Sequence, residues 1–262
     1  MDLDYFLSEY VKGYLFDDLA SMAEISPQPG MTTGAVGYPM VMTTLAGIEL
    51  LGWLTNTEAF TPHSKGSVGF RWYWNQFLTP IDSRYEGLAE LIYQLVRNGI
   101  GHVYIAKPGI FITKGNAETH LIVDKDKRTL VLDCLELHNH FVESYRRFVE
   151  PIVAGVEHDF ASSKGNRKRS VAITRVSMEL RLKDMVEVFT HNATTQFDIY
   201  SKSKRPITQP VQSISFSGAH AASGNFPQDG GKPIWYRKRL SNEPSSPPSF
   251  DDENWDTSTK EG

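Results

Sequence analysis

Apolar residues recur on three- and four-residue steps at Leu3, Phe6, Leu7, Tyr10, Tyr14, Leu15, Leu19 and Met22, a pattern that predicts a helix with one buried face over residues 3 to 24. Ser26-Pro27-Gln28-Pro29-Gly30 ends it, because each proline removes a donor and disfavours a helical residue before it. Pro39 suits the first turn of a second helix, whose stripe is Val41, Leu45, Ile48, Leu51 and Leu54. Glu49 interrupts that run. It is expected at the solvent edge or bonded to a neighbouring chain end, since unpaired acids are rarely buried. After a polar loop, the aromatic segment Phe70 to Leu78 would pack a core or a dimer interface, or offer bases a stacking platform. Asp82 or Ser83 can cap the next helix, which carries Leu88, Leu91, Ile92, Leu95, Val96 and Ile100 at helical spacing. Gly99 and Gly101 favour its ending there.

The period then changes to two. His102 to Ala106, Gly109 to Thr113, Thr119 to Val123 and Thr129 to Asp133 are short β-branched runs between turn residues, which predicts a small antiparallel meander over about 102–134. Leu137, Phe141, Tyr145, Phe148 and Ile152 restore helical spacing up to Val153, with Glu143, Arg146 and Arg147 facing outward. Residues 158–170 end in Lys164-Gly165-Asn166-Arg167-Lys168-Arg169, a basic junction that reads as a solvated linker or an RNA-backbone contact. Val176 to Thr190 predicts one more amphipathic helix. From Ser201 onward polar, glycine and proline residues dominate, which predicts a largely disordered tail; its tryptophan islands around Trp235 and Trp255 are candidates for docking on a partner. The expected fold is mainly α: a helical bundle over 1–155 with the β-meander inserted after the helix that ends at Gly99 and Gly101, a basic junction and extra helix over 156–200, and a low-complexity tail over 201–262.

Hydrophobic residues make up 40% of the 262 and charged residues 22%, the profile of an ordinary globular chain. A formal charge of -4 excludes wholesale coating of a polyanion, so any RNA must be met by a local patch; Lys164, Arg167, Lys168 and Arg169 are the candidates. One cysteine, Cys134, permits neither an internal disulfide nor a cysteine zinc cluster, which suits a reducing compartment. The acidic start Met1-Asp2-Leu3-Asp4 lacks the basic residues and apolar run of a secretory signal, and a cytoplasmic location is expected. The stretch from Val36 to Leu54 approaches the length of a membrane span but contains Pro39, Thr43, Thr44 and Glu49, so a buried helix is expected and no membrane association.

Phosphate loops, His-Glu-x-x-His pairs and Gly-x-Ser-x-Gly elbows are missing from the sequence. His138 and His140 are two apart and point in different directions on a helix, and no further metal ligands suggest themselves, so neither metal nor cofactor is expected. Arg97 and His102 offer metal-free chemistry. Histidine near neutrality can take the proton of an RNA 2′-hydroxyl as it attacks the adjacent phosphate, and the arginine fork can hold that phosphate and the charge that builds on it.

Arg97-Asn98-Gly99-Ile100-Gly101-His102 resembles the Arg-x(4 to 6)-His motif of the HEPN superfamily, with Asn98 in the polar position that often follows the arginine. The resemblance, over about residues 1–155, implies an all-α bundle that usually dimerises and in many members is a metal-independent endoribonuclease of toxin–antitoxin, abortive-infection or other defence systems. It implies Arg97 on the scissile phosphate, His102 as general base or acid, Asn98 orienting the arginine or the substrate, and as partners RNA, a second copy and an antitoxin or other protein. Two alternatives stay open: an inactive member acting as a protein-interaction module, and a helix-end role in which Arg97 caps carbonyls. Five residues at about 100° each set Arg97 and His102 roughly 140° apart on an ideal helix. Joint action therefore requires the glycines to unwind the last turn or a second protomer to complete the cleft.

Overall fold

Leu3, Leu7, Val11, Leu15 and Leu19 recur every four residues, and on an α-helix each such step overshoots one turn by about 40°. Five of them would wind off the buried face. A computed structural model, which describes residues 1–26, 29, 35–103, 107–164 and 167–202, all within the unit Met1–Ser203, shows how the chain keeps them in line. Helix α1 (residues 3–23) is α-helical at Leu3–Tyr5 and Asp17–Ala23 and π-helical over Phe6–Phe16, where wider turns absorb the overshoot. Leu3, Leu7, Val11 and Leu19 are buried and Leu15 packs against the core, whereas Tyr10 and Tyr14, expected inside, are 41% and 47% exposed. The same device recurs in α3 (residues 66–78), α4 (89–103) and α5 (134–153), each of which contains a π-helical run: Trp74–Leu78, Tyr93–Arg97 and Tyr145–Val149.

Helix α2 (Gly37–Leu54) is the central element, with Met40, Val41, Thr44, Leu45, Ile48 and Leu51 fully buried. Small residues let its neighbours approach. A Cβ on Gly52 would lie 2.0 Å from the Gly69 carbonyl oxygen of α3, and one on Gly47 would collide with Leu15 of α1 and Phe141 of α5. Thr44, buried, satisfies its hydroxyl by donating to the Met40 carbonyl at 2.9 Å. No helix among the described residues is long and apolar enough to cross a membrane.

The aromatic segment is core. Phe70, Tyr73, Trp74 and Phe77 are fully buried, Tyr73 stacks on Phe77 at 4.6 Å, the Tyr73 hydroxyl meets Ser144 Oγ at 2.9 Å, and Trp74 Nε1 donates to the Tyr85 carbonyl at 2.9 Å. With ring faces and polar tips engaged, these residues are not a base-stacking platform.

The meander is corrected in topology. Strands β1 (Ile110–Thr113), β2 (Val123–Asp124) and β3 (Thr129–Asp133) order as β1-β3-β2; β1 runs parallel to β3 with Ile110 opposite Leu130, and only β2 is antiparallel to it. The chain from Lys114 to Arg128 supplies the crossover that a parallel pair requires. The first expected strand does not form at His102 and Val103, because α4 continues through both glycines to Val103; each glycine costs about 1 kcal/mol in a helix, and burial of Ile100 offsets this.

Residues 158–170, expected as a basic linker-like junction, belong to an antiparallel hairpin of β4 (His158–Lys164) and β5 (Arg167–Ile173), with Phe160 and Ile173 in the core. Helix α6 (Arg175–Lys202) is longer than expected. It buries Met178, Leu182 and Met185, so the core extends past residue 155, and from Phe189 onward it is exposed. The tail from residue 203, with both tryptophan islands, lies outside the described residues.

Candidate functional site

Arg97 closes the π-helical run of α4, and Asn98 opens the α-helical segment Asn98–Val103 that carries His102. The helix runs on to Val103, and among the described residues no helix carbonyl accepts from the Arg97 guanidinium. Its Nε donates to Glu49 Oε2 of α2 at 3.2 Å, and its guanidinium lies 5.9 Å from the Tyr93 ring centre. Glu49 thus keeps a partly exposed edge position, paired with Arg97 rather than bonded to a chain end. The two side chains keep 28% and 22% of their surface, which leaves the pair within reach of a solvent-borne ligand. Asn98 does not orient Arg97. Its amide donates to Gln94 Oε1, Gln94 donates to Glu90, and Glu90 accepts from Arg71, a ladder along the outside of α4 and α3.

The glycines do not unwind the helix, so within one chain the backbone keeps Arg97 and His102 about 140° apart. The His102 side chain lies outside the described residues. So do the side chains of Lys164, Arg167, Lys168 and Arg169; their backbones face each other at the turn end of the β4–β5 hairpin, where Lys164 pairs with Arg167 and Ser163 with Lys168.

Beside the Arg97–Glu49 pair a cleft of about 210 Å³ opens between α2, the 60–66 loop and α6. Its walls are Trp53, Phe60, Met185 and Phe189, and Glu49 and Arg97 form its polar end. Phe60 meets Trp53 edge-on at 5.0 Å and Phe189 at 5.5 Å. Gly66 belongs to the same site: a Cβ there would lie 2.1 Å from Glu49 Oε1, so the carboxylate occupies the space a side chain would need.

A second polar cluster escaped sequence reasoning. The Asp133 N–H donates to Nδ1 of the fully buried His120 at 3.1 Å, which makes Nδ1 the unprotonated nitrogen. His120 Nε2–H then donates to the Tyr85 hydroxyl at 2.9 Å, and Tyr85 donates its own hydrogen to His140 Nδ1 at 3.0 Å. The remaining His140 N–H faces Glu136 Oε2 at 3.9 Å. One backbone amide thus sets the direction of the whole chain. Burial, with help from His140 and Arg84, pushes the His120 pKa down to about 4, and burial raises Tyr85 well above its usual range. His138 lies elsewhere on α5, buried, with its Nδ1 lacking a hydrogen-bond partner among the described residues, and burial shifts its pKa down. Among the described residues no group of three His, Cys, Asp or Glu side chains is placed to hold a metal ion.

No family model, curated protein or solved structure matches the chain. Two polar clusters among the described residues bear on its chemistry. The His120 chain is closed: every polar atom of His120 and Tyr85 is spent inside the protein, which makes it a fastening between the 82–85 turn, the 120 segment and α5. Cys134 is equally unsuited to attack a substrate, its thiol being buried and pushed up to about 11 by that burial and by Asp133. The Arg97–Glu49 cleft is open and mostly apolar, with one charged pair at its end, the composition of a ligand site.

Proposed function

We propose that the protein acts on RNA as a HEPN-like, metal-independent endoribonuclease, with Arg97 on the scissile phosphate and His102 as general base. The observation that carries this reading is the placement of Arg97: paired with a carboxylate at the polar end of an open cleft, with no helix carbonyl as its hydrogen-bond partner among the described residues. In the reaction His102 accepts the 2′-hydroxyl proton, the 2′-oxygen attacks phosphorus, the 5′-oxygen leaves with a proton from solvent, and Arg97 stabilises the charge on the phosphoryl oxygens. Because α4 stays helical, a homodimer whose composite cleft takes Arg97 from one copy and His102 from the other meets the angular requirement. Lys164, Arg167, Lys168 and Arg169, brought together by the hairpin backbone, supply the phosphate-tracking patch. The setting proposed is cytoplasmic, with an antitoxin-like or other protein partner.

The test is cleavage of a structured and an unstructured RNA in excess chelator. Wild type should cleave, and Arg97→Ala and His102→Ala should each lose about 100-fold or more; equal activity of all three, or none in wild type, removes the catalytic assignment. A second reading, a non-catalytic protein-interaction module, is favoured by the exposed end of α6, where Phe189, Phe197, Ile199 and Tyr200 are each more than half exposed.

A further inference from the structure

We infer that the cleft ending at Glu49 and Arg97 is a base-recognition pocket that takes guanine. The inference rests on the RNA reading for its setting, but it concerns binding and is tested without RNA or catalysis. Its first support is size. At about 210 Å³ the cleft is smaller than the roughly 300 to 1,000 Å³ of pockets for drug-sized ligands, which fits a single flat ring system with the rest of the molecule outside. The second is its walls: Trp53, Phe60 and Phe189 are aromatic, and Phe189, 52% exposed, keeps ring surface free on which a base can stack.

The third support is the polar end, which discriminates among bases. A carboxylate only accepts hydrogen bonds, and its two oxygens suit two donors side by side. The pairing edge of guanine offers that arrangement in N1–H and the N2 amino group. Adenine and cytosine set a ring-nitrogen acceptor beside their amino group, and uracil flanks its single N–H with two carbonyls, so each turns a lone pair on the carboxylate. Glu49 Oε2 holds Arg97 Nε and keeps a second lone pair, while Oε1 lies against the bare Cα of Gly66 rather than behind a side chain.

The experiment is equilibrium dialysis of the full chain against guanosine, adenosine, cytidine and uridine, which carry no phosphate. Guanosine should bind about 10-fold or more tightly than the other three, and Glu49→Gln, whose amide turns an N–H toward the guanine donors, should abolish that preference. Gly66→Ala, which forces the carboxylate aside without touching its charge, should weaken guanosine selectively; it keeps the test decisive if Glu49→Gln unfolds. Equal binding of the four nucleosides, no binding of any, or a preference that survives both substitutions overturns the pocket. Failure of RNA cleavage with guanosine preference intact would remove the ribonuclease reading alone, and cleavage without guanosine preference would remove the pocket alone.

Discussion

Acidification is the perturbation that the buried His120 makes quantitative. Its folded pKa of about 4 lies below the unfolded value near 6.5, so between those limits the unfolded chain takes up a proton that the native protein refuses. The contribution to stability is complete above pH 6.5, falls by about 1.4 kcal/mol per pH unit on the way down, and is exhausted below pH 4, a ceiling of about 3 kcal/mol. Geometry gives the cause: Nδ1 is occupied by the Asp133 N–H, so protonation would set a second donor against a backbone donor inside a fully buried site. Urea unfolding followed by tryptophan fluorescence at half-unit pH steps measures the profile, with His120→Phe as reference. The variant leaves the Asp133 N–H and the Tyr85 hydroxyl with one partner fewer and should be destabilised at pH 7.5 by about 1 to 3 kcal/mol per unpaired group. His138, also shifted down, and the carboxylates titrate in both proteins and cancel in the difference. The gap between wild type and variant should therefore close by about 2 kcal/mol from pH 6.5 to 4.5. Parallel profiles would refute both the tautomer and the direction of the hydrogen-bond chain.

Gly52→Ala should force α2 and α3 apart, because its Cβ would lie 2.0 Å from the Gly69 carbonyl oxygen. The expected loss is about 3 kcal/mol, or about 6 °C or more in a thermal melt, and a change below about 1 °C would mean that the helices do not cross there. Asp133→Ala removes four acceptor contacts at once, to the Leu135, Glu136 and Asn116 N–H groups and the Thr113 hydroxyl. Although burial alone would raise its pKa, these donors more than offset it and the net shift is downward. Its loss should cost about 3 kcal/mol or more in urea unfolding, and a cost below about 1 kcal/mol would contradict the network.

Helices were legible because their signal is local. The stripes of α2, α4 and α5 name buried residues directly: Val41, Leu45, Ile48 and Leu51; Ile92, Val96 and Ile100; Leu137, Phe141 and Tyr145. What the spacing also carried, a strict four-residue step in α1, separates Val11 from the exposed Tyr10 and Tyr14 once the π-helical turn is taken into account. Strand runs near 110 and 130 were equally local, but their parallel pairing depends on a crossover, and no alternation of polar and apolar residues encodes which strand a neighbour will choose. The His120 chain was illegible for the same reason. Tyr85, His120 and His140 come from a turn, a loop and a helix, and only tertiary packing brings both imidazoles to the Tyr85 hydroxyl, at 2.9 and 3.0 Å.

Glu49 shows how a residue out of place in its own pattern can mark a site. An acid inside an apolar helical run requires a partner, and a cation was the cheapest solution open to the chain. The partner proved to be Arg97, the arginine for which the sequence suggested a catalytic role. This pairing changes what Arg97 can do: before it grips a phosphate it must share or surrender a 3.2 Å contact to a carboxylate, and a half-buried pair resists screening more than a surface one. A ligand that satisfies Glu49 lowers that cost, whereas a bare phosphate, repelled by the same carboxylate, does not. Selectivity at the cleft and availability of the arginine are then two consequences of one ion pair, and Glu49→Gln should move them in opposite directions: guanosine preference lost, and Arg97-dependent affinity for inorganic phosphate gained. Measured side by side on one variant, a change in which both fall would place Glu49 as a mere scaffold for Arg97.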